Sequence, residues 1–450
     1  MTEKSKPVRD FASSREAKME ASTPALTPKL RFPEFRGAEG WERTTLRQAT
    51  VPVTERVGKQ KLTPVSISAG IGFVPQAEKF GRDISGNQYQ LYTVVSDGDF
   101  VYNKGNSLKF PQGCVYLLQG WGKVAAPNVF ICFRLKEGFS SVFFQNCFEQ
   151  NMHGIQLKRH ITSGARSNGL LNISKENFFG IEIPTPSLAE QQKIAECLSS
   201  VDELIAAQAR KVETLKSHKK GLMQQLFPHA GETQPRLRFP EFRGAGEWEI
   251  DSFDKLIEVI DGDRGLYYPK AQEFAQSGFC LFLSAKNVTK SGFKFEETQF
   301  ISKEKDEVLR NGKLKRADVV LTTRGTVGQF AYYSDDIPYE NIRINSGMAI
   351  LRAKSKKIIP NYLYCFTKSE SLKLYIKNTA FGNAQLQLTV GEIKKFKLNY
   401  PEPDEQQHIA GCLHALDDLI AAESQKLAAL KTHKKGLMQQ LFPSPEEVEP

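Results

Sequence analysis

HKKGLMQQLFP stands at His218–Pro228 and again, letter for letter, at His433–Pro443. A second string, LRFPEFRG, stands at Leu30–Gly37 and at Leu237–Gly244. The first string recurs 215 positions on and the second 207, so the second copy is eight residues longer. Identity of this length does not arise by chance; the chain is two copies of one unit. Duplication within one chain implies a pseudo-two-fold architecture, suited to a target that is itself two-sided.

Working back from each HKKGLMQQLFP, apolar residues recur in alternating steps of four and three. The first copy places Ile194, Leu198, Val201, Ile205, Val212 and Leu215 on one line. The second places Ile409, Leu413, Leu416, Ile420, Leu427 and Leu430 there. That spacing is a coiled-coil seam. Gln208 and Glu423 interrupt it at mid-helix, where a buried polar residue can fix register. Lys219 and Lys434 also fall on the seam, near the ends, where a long stem can reach water. Ser187-Leu-Ala-Glu190 has the form of a capping box at the first start. Pro403 with Asp404 and Glu405 suits the first turn of the second, and Pro228 and Pro443 stop the helices. Each helix of about 35 residues is about 50 Å long. The simplest pairing is of these two helices with each other, antiparallel. Gly221 and Gly436 lie inside them, where glycine costs about 1 kcal/mol against alanine. Close approach of another backbone, or simple retention since duplication, would explain both.

Outward again, each helix is preceded by a variable stretch, roughly Glu42–Pro186 and Glu249–Pro401. Asp99-Phe-Val-Tyr-Asn103 and Asp318-Val-Val-Leu-Thr322 read as matching buried strands. So do Asn128–Arg134 and Gly347–Arg352, while Glu182–Pro186 and Lys397–Pro401 lead extended into the helices. The fold class is therefore α+β: two globular domains separated by two long helices forming an antiparallel coiled coil. The expected boundaries are a disordered tail at 1–29, a domain at 30–186, a helix at 187–229, a second domain at 230–401, a second helix at 402–443 and a tail at 444–450.

Composition narrows the function. Of 450 residues, 40% are hydrophobic, and the net charge is +10. That excess is spread through folded sequence, which favours a polyanionic partner. No apolar run approaches membrane length, and the polar N-terminus lacks a signal-peptide core. Seven scattered cysteines without a CxxC point to free thiols in a reducing cytoplasm, with no disulfide frame and no metal site. There is no P-loop, no dinucleotide fingerprint, no HExxH and no nucleophile motif. Nor is there a [DNS]PP[YFW] tetrapeptide or a defensible nuclease pattern. A non-catalytic binding subunit fits better than an enzyme.

The helix starts carry a resemblance. Pro184-Thr-Pro-Ser-Leu-Ala-Glu-Gln-Gln-Lys-Ile-Ala195 and Pro401-Glu-Pro-Asp-Glu-Gln-Gln-His-Ile-Ala410, in this duplicated setting, resemble the specificity (S) subunits of type I restriction–modification enzymes. The resemblance runs from Leu30 to about Pro443. It implies that each variable stretch is a target recognition domain reading one half of a bipartite DNA site. It implies that the helices set the spacer and dock two modification (methyltransferase) subunits, with restriction (translocase/nuclease) subunits joining through the complex. The chain itself would catalyse nothing and bind no cofactor; S-adenosylmethionine, ATP and magnesium would sit on the partners. The alternatives are a duplicated coiled-coil scaffold and, less favoured, a self-contained methyltransferase or nuclease.

Base reading needs guanidinium, ammonium and amide groups in loops. Asn103 and Lys104 align, with a one-residue slip, near Thr322 and Arg324. Ser163–Gly169 aligns with Thr379–Gln387, matching Asn168 to Asn383 and bringing in Arg166 and Gln385. Arg343 and Asn345 form a third polar loop. Arg324, Arg343, Arg166 and Lys104 are candidates for base or phosphate contacts; Asn383, Gln385 and Asn168 are candidates for amide contacts to bases. Against this, Asn and Gly also satisfy turns on their own. Lys219-Lys220 and Lys434-Lys435 could meet phosphate or a partner subunit, or form a solvated face.

Overall fold

The computed structural model describes residues 26–105, 110–161, 171–229, 231–380 and 387–444. Contacts divide the chain into two units, Met1–Ala206 with Ala428–Pro450, and Ala207–Leu427. The division cuts both long helices. Each unit holds a globular domain, the start of one helix and the end of the other.

In the first unit, a four-stranded sheet runs in the order Thr50–Pro52, Ile131–Leu135, Asp99–Asn103, Cys114–Leu117. A second sheet runs Gly72–Pro75, Thr63–Ser68, Lys123–Ala126, Thr93–Ser96. Its Thr63–Ser68/Lys123–Ala126 pair is parallel. The strand Asp99–Asn103 is buried at every position: its Phe-Val-Tyr centre is apolar, and its polar ends are satisfied by hydrogen bonds. Asp99, fully buried, is neutralised by Arg134, with Nε donating to Oδ1 at 2.6 Å. The core is aromatic: Phe100 stacks on Phe133, Tyr102 on Phe178, and Phe143 on Phe442 from the chain's last helix.

The second unit follows the same plan. Its sheet runs Ile257–Asp261, Met348–Ala353, Val319–Thr322, Phe330–Tyr332. A smaller sheet again holds one parallel pair, Cys280–Phe282 with Ile342–Arg343. Asp318 accepts from Arg352 as Asp99 does from Arg134. In both units a two-stranded ribbon, Glu42–Thr45 with Glu182–Thr185 or Glu249–Ser252 with Lys397–Tyr400, delivers the chain to the long helix. The α+β assignment and the matching strands stand.

The long helices span Leu188–Leu226 and Pro403–Leu441, with Pro403 in the first turn as expected. Each seam residue named above is buried or half-buried. Ile194 and Leu198 join the first unit's core with Leu441 and Phe442; Ile409 and Leu413 join the second's with Leu226 and Phe227. The helices therefore run antiparallel inside each unit. Gln208 Nε2 donates to Glu423 Oε2 at 2.6 Å and to its carbonyl at 2.9 Å, and Lys211 pairs with the same carboxylate. The two seam polar residues thus meet directly across the helix pair. Lys219 pairs with Asp417 in the second unit, and Lys434 with Asp202 at 2.8 Å in the first. These are the same pair of repeat positions with the helices exchanged. Neither lysine simply reaches for water. Burial pushes the pKa of Lys434 down, but Asp202 and Glu149 outweigh it and the net shift is upward.

The repeated strings and the EQQ starts form a clamp. Arg31 of the first LRFPEFRG gives Glu190 two hydrogen bonds, at 2.8 and 2.7 Å. Arg238 of the second gives Glu405 two at the same distances. Both carboxylates are almost wholly buried. Ser187 does accept from the Glu190 amide, at 3.4 Å, but Glu190's own carboxylate turns to Arg31 and Trp41, so the expected capping box is half made. Gln191 bridges the Ser140 amide and the Pro186 carbonyl; Gln406 bridges those of Ile359 and Pro401. The string's backbone also holds a helix end. Leu237 N donates to Gln225 O at 2.9 Å, and Leu30 N to Gln440 O at 2.8 Å.

Two further expectations change. Leu26 is core, bridged to Trp41, so the tail does not extend to residue 29; residues 1–25 and 445–450 lie outside the described residues. A Cβ on Gly221 or Gly436 would meet nothing within 4 Å, so close backbone approach does not explain them. All seven cysteines are free thiols, as expected. Among the described residues no helix is long and apolar enough to cross a membrane, and no cluster could hold a metal ion.

Candidate nucleic-acid interface

In the second unit, separate loops converge at the end of strand Val319–Thr322. Arg324 N donates to Gly347 O, and Leu388 N to Thr323 O at 2.9 Å. Gly262 N donates to Met348 O, and its bare Cα admits Asn345 O, which a Cβ would meet at 2.0 Å. Asp263, buried, accepts the amides of Arg264, Arg310 and Asn311. Burial raises its pKa; these amides lower it further, and the net is downward, so the carboxylate stays charged and the loop fixed. A cleft of about 330 Å3 results, lined by Asp261, Arg264, Thr323, Arg324, Gln387 and Thr389 among others. Arg264 leans on Asp261 at 2.8 Å and on Ser346 O. Arg324 is exposed, and its guanidinium has no hydrogen-bond partner among the described residues. A rigid backbone presenting two guanidinium groups in a cleft can grip phosphate or fork onto a guanine edge.

The first unit builds the same junction with other side chains. Leu171 N donates to Lys104 O at 2.9 Å, the counterpart of Leu388 to Thr323. Asn103 therefore corresponds to Thr322, Lys104 to Thr323, and Gly105 to Arg324. Where the second unit projects a guanidinium, the first has a glycine. Lys104 Nζ reaches Ile173 O at 3.2 Å.

Several expected DNA contacts are structural instead. Arg343 is buried, its side chain 6% exposed; Nε donates to Asp306 Oδ1 at 2.5 Å and the two other nitrogens reach three carbonyls. A guanidinium so engaged cannot leave for DNA without giving up four hydrogen bonds and leaving buried Asp306 to Lys313 alone. Thr322 is fully buried and bonds across its own turn to Thr326 and Gln329. Asn103 is buried, donating to Ile67 O at 2.7 Å and accepting from Gly105 N. Asn345 accepts from Gly347 N at 2.8 Å, a turn residue. Arg166, Asn168, Asn383 and Gln385 lie outside the described residues. Of the ten expected contacts, Arg324 and Lys104 stay at their junctions with side chains not locked in the core. Arg264 was missed because it reads locally as part of a turn; its signal was an arginine within Asp263-Arg-Gly265, directly after a strand.

A larger cavity in the second unit, about 610 Å3, lies where Lys216, Lys219 and Lys220 face Lys290, Lys368 and Lys373. Its floor includes Phe330, Met223 and Ile420. Lys368 and Lys219 share Asp417, which tempers the charge.

A family model described as the type I restriction modification DNA specificity domain matches residues 107–217 and 246–432. The MjaVIII specificity subunit of Methanocaldococcus jannaschii, a type I restriction enzyme, is 28% identical over 64% of this chain and 68% of its own length. Among solved structures, the S subunit of a type I restriction–modification system from M. genitalium aligns over 93% of this chain and all of its own. Its TM-score is 0.54 at 16% identity. A chain from a structure concerned with complex assembly and conformational transition of the type I R-M system gives 0.56 at 18%, over 90% of this chain and 98% of its own.

Proposed function

The chain belongs to the type I restriction modification DNA specificity family, and we infer that its two globular domains each read one half of a bipartite DNA site. Family membership makes it the DNA-recognition subunit of a restriction–modification complex, with DNA and the other subunits as partners and no reaction of its own. The observation that carries the bipartite reading is the contrast within one plan. The Arg–Glu clamps repeat at equal distances in both units, while the loop junctions offer different groups, Gly105 against Arg324. Two readers on one scaffold multiply selectivity, because each added base pair is worth about 1–3 kcal/mol. The long helices then hold the half-sites at a fixed separation along the duplex and offer their outer faces to two modification subunits. S-adenosylmethionine, ATP and magnesium belong to those partners and to the restriction subunits. The setting is the cytoplasm of a bacterial or archaeal cell.

Methylation mapping tests this in cells that co-express the chain with its modification subunit. The expected result is methylated adenine confined to one motif, two half-sites split by a constant gap. Methylation that is unchanged when the chain is left out, with the partner shown to be active, overturns it.

A further inference from the structure

The two most exposed large apolar side chains of the described residues are Ile71, at 75%, and Leu266, at 85%. One falls in each unit, and each adjoins that unit's loop junction. Ile71 tips the turn between Thr63–Ser68 and Gly72–Pro75, its amide donating to Ser68 O at 3.1 Å. The strand before it is tied to Asn103 through Ile67 O, and Gly70 N donates to the Tyr116 hydroxyl at 2.6 Å. Leu266 follows Arg264 and Gly265 at the rim of the guanidinium cleft. On one side Asp263 anchors the loop. On the other, Tyr268 N donates to Gly265 O and its ring packs edge-on against Phe282, centroids 5.6 Å apart. Both turns are held at their flanks and bare at their tips.

Neither residue suits its place by local rules. Turns favour Gly, Asn, Asp, Ser and Pro. Ile71 is β-branched and sits between two glycines at φ 83° and 95°. Each aliphatic forgoes most of the stabilisation that burial would give it. One exposed leucine is ordinary. Two extremes, each on a fixed turn beside its own unit's polar loops, break the local pattern where function is expected to break it.

Duplex DNA offers an apolar counterpart in the faces of its base steps. Aliphatic wedges enter such steps, unstacking them in return for the contact, and most easily at flexible pyrimidine–purine steps. Arg264 and Arg324 stand ready for the phosphates beside Leu266. We propose that Ile71 and Leu266 are base-step wedges, one per half-site, each selecting a deformable step within the sequence its domain reads. The proposal rests on the DNA-reading function above.

The test uses the full chain co-expressed with its modification subunit, on duplexes carrying the site found by methylation mapping. 2-Aminopurine is scanned through both half-sites, omitting the methylated adenines. Fluorescence should rise at one position in each half-site. Ile71→Ala should abolish the rise only in the half-site read by the first domain, and Leu266→Ala only in the other. Each should weaken specific binding about tenfold, the scale of one mismatched base pair, with non-specific binding and Tm unchanged because both side chains are exposed. Wild-type affinity and fluorescence in both variants overturn the proposal. So does loss of the modification subunit with DNA affinity intact, which assigns the tips to a protein interface. A wild-type complex that prefers no site overturns the underlying function itself, a result distinct from either.

Discussion

The Arg–Glu clamps and the loop junctions are both built twice, and they have aged differently. Arg31–Glu190 and Arg238–Glu405 hold the same two distances in both units. At the junctions, a hydrogen bond of equal length joins Lys104 to Leu171 and Thr323 to Leu388, yet the neighbouring side chains differ wholly. A clamp must satisfy a buried charge, and only one geometry does so. A loop tip has to satisfy only its target. The difference separates what assembles the protein from what it reads.

The largest effect should come from breaking the clamp. Glu190→Ala leaves Arg31 buried without its carboxylate and should cost about 3–5 kcal/mol. Glu405→Ala should cost about the same by chemical denaturation. Some excess at Glu190 is expected, since Trp41 Nε1 also donates to it at 3.3 Å while Trp248 Nε1 has no partner among the described residues. A negligible cost at either site would show that the clamps are not equivalent supports.

Next comes a difference between the domains. His153 lies buried against Tyr102 and Phe148. Among the described residues no hydrogen bond of ordinary geometry reaches its ring. Burial lowers its pKa to about 4, the Gly113 backbone opposing. Above the unfolded value near 6.5 the ring is neutral in both states; below it the unfolded chain gains a proton that the folded one refuses. The first unit should therefore lose up to about 3 kcal/mol as pH falls from 6.5 towards 4. His153→Phe should flatten that slope in denaturant titrations; an unchanged slope would assign it to other groups.

A smaller effect is expected at the reading surface. Arg324→Ala should cost about 1–3 kcal/mol of specific binding and relax selectivity in one half-site only. Methylation mapping of the variant checks this, and relaxation in both halves would remove the distinction between the units. Least of all should change in a circular permutant. Pro443 joined to Leu30 at the nine-residue spacing of Pro228–Leu237, with Leu26–Lys29 kept as the last four linker residues so that the Leu26–Trp41 bridge survives, and opened within residues 231–236, keeps every clamp contact. Its Tm should match the parent's.

The repeat, both helices, the seam and the paired strands were legible because periodicity and identity are local signals. The roles of single polar residues were not. Arg343 reads as a loop arginine until Asp306, 37 positions away, is folded against it. Asn103 and Thr322 end strands, where a polar side chain serves its own turn as readily as a ligand. Ile71 and Leu266 were passed over because sequence reading assigns aliphatics to cores; the glycines flanking Ile71 were the signal.

The meeting of Gln208 with Glu423 has a consequence for inheritance. They are one position of the repeat, seen from its two copies. A gene shortened to its first half, pairing with a second product of itself, would set glutamine against glutamine, where each amide can still give and take a hydrogen bond. One shortened to its second half would set two carboxylates face to face, and would need Lys426, the counterpart of Lys211, to take up the pairing that Lys211 makes with Glu423. The first half can pair with itself through neutral amides, whereas the second depends on its lysines to do so.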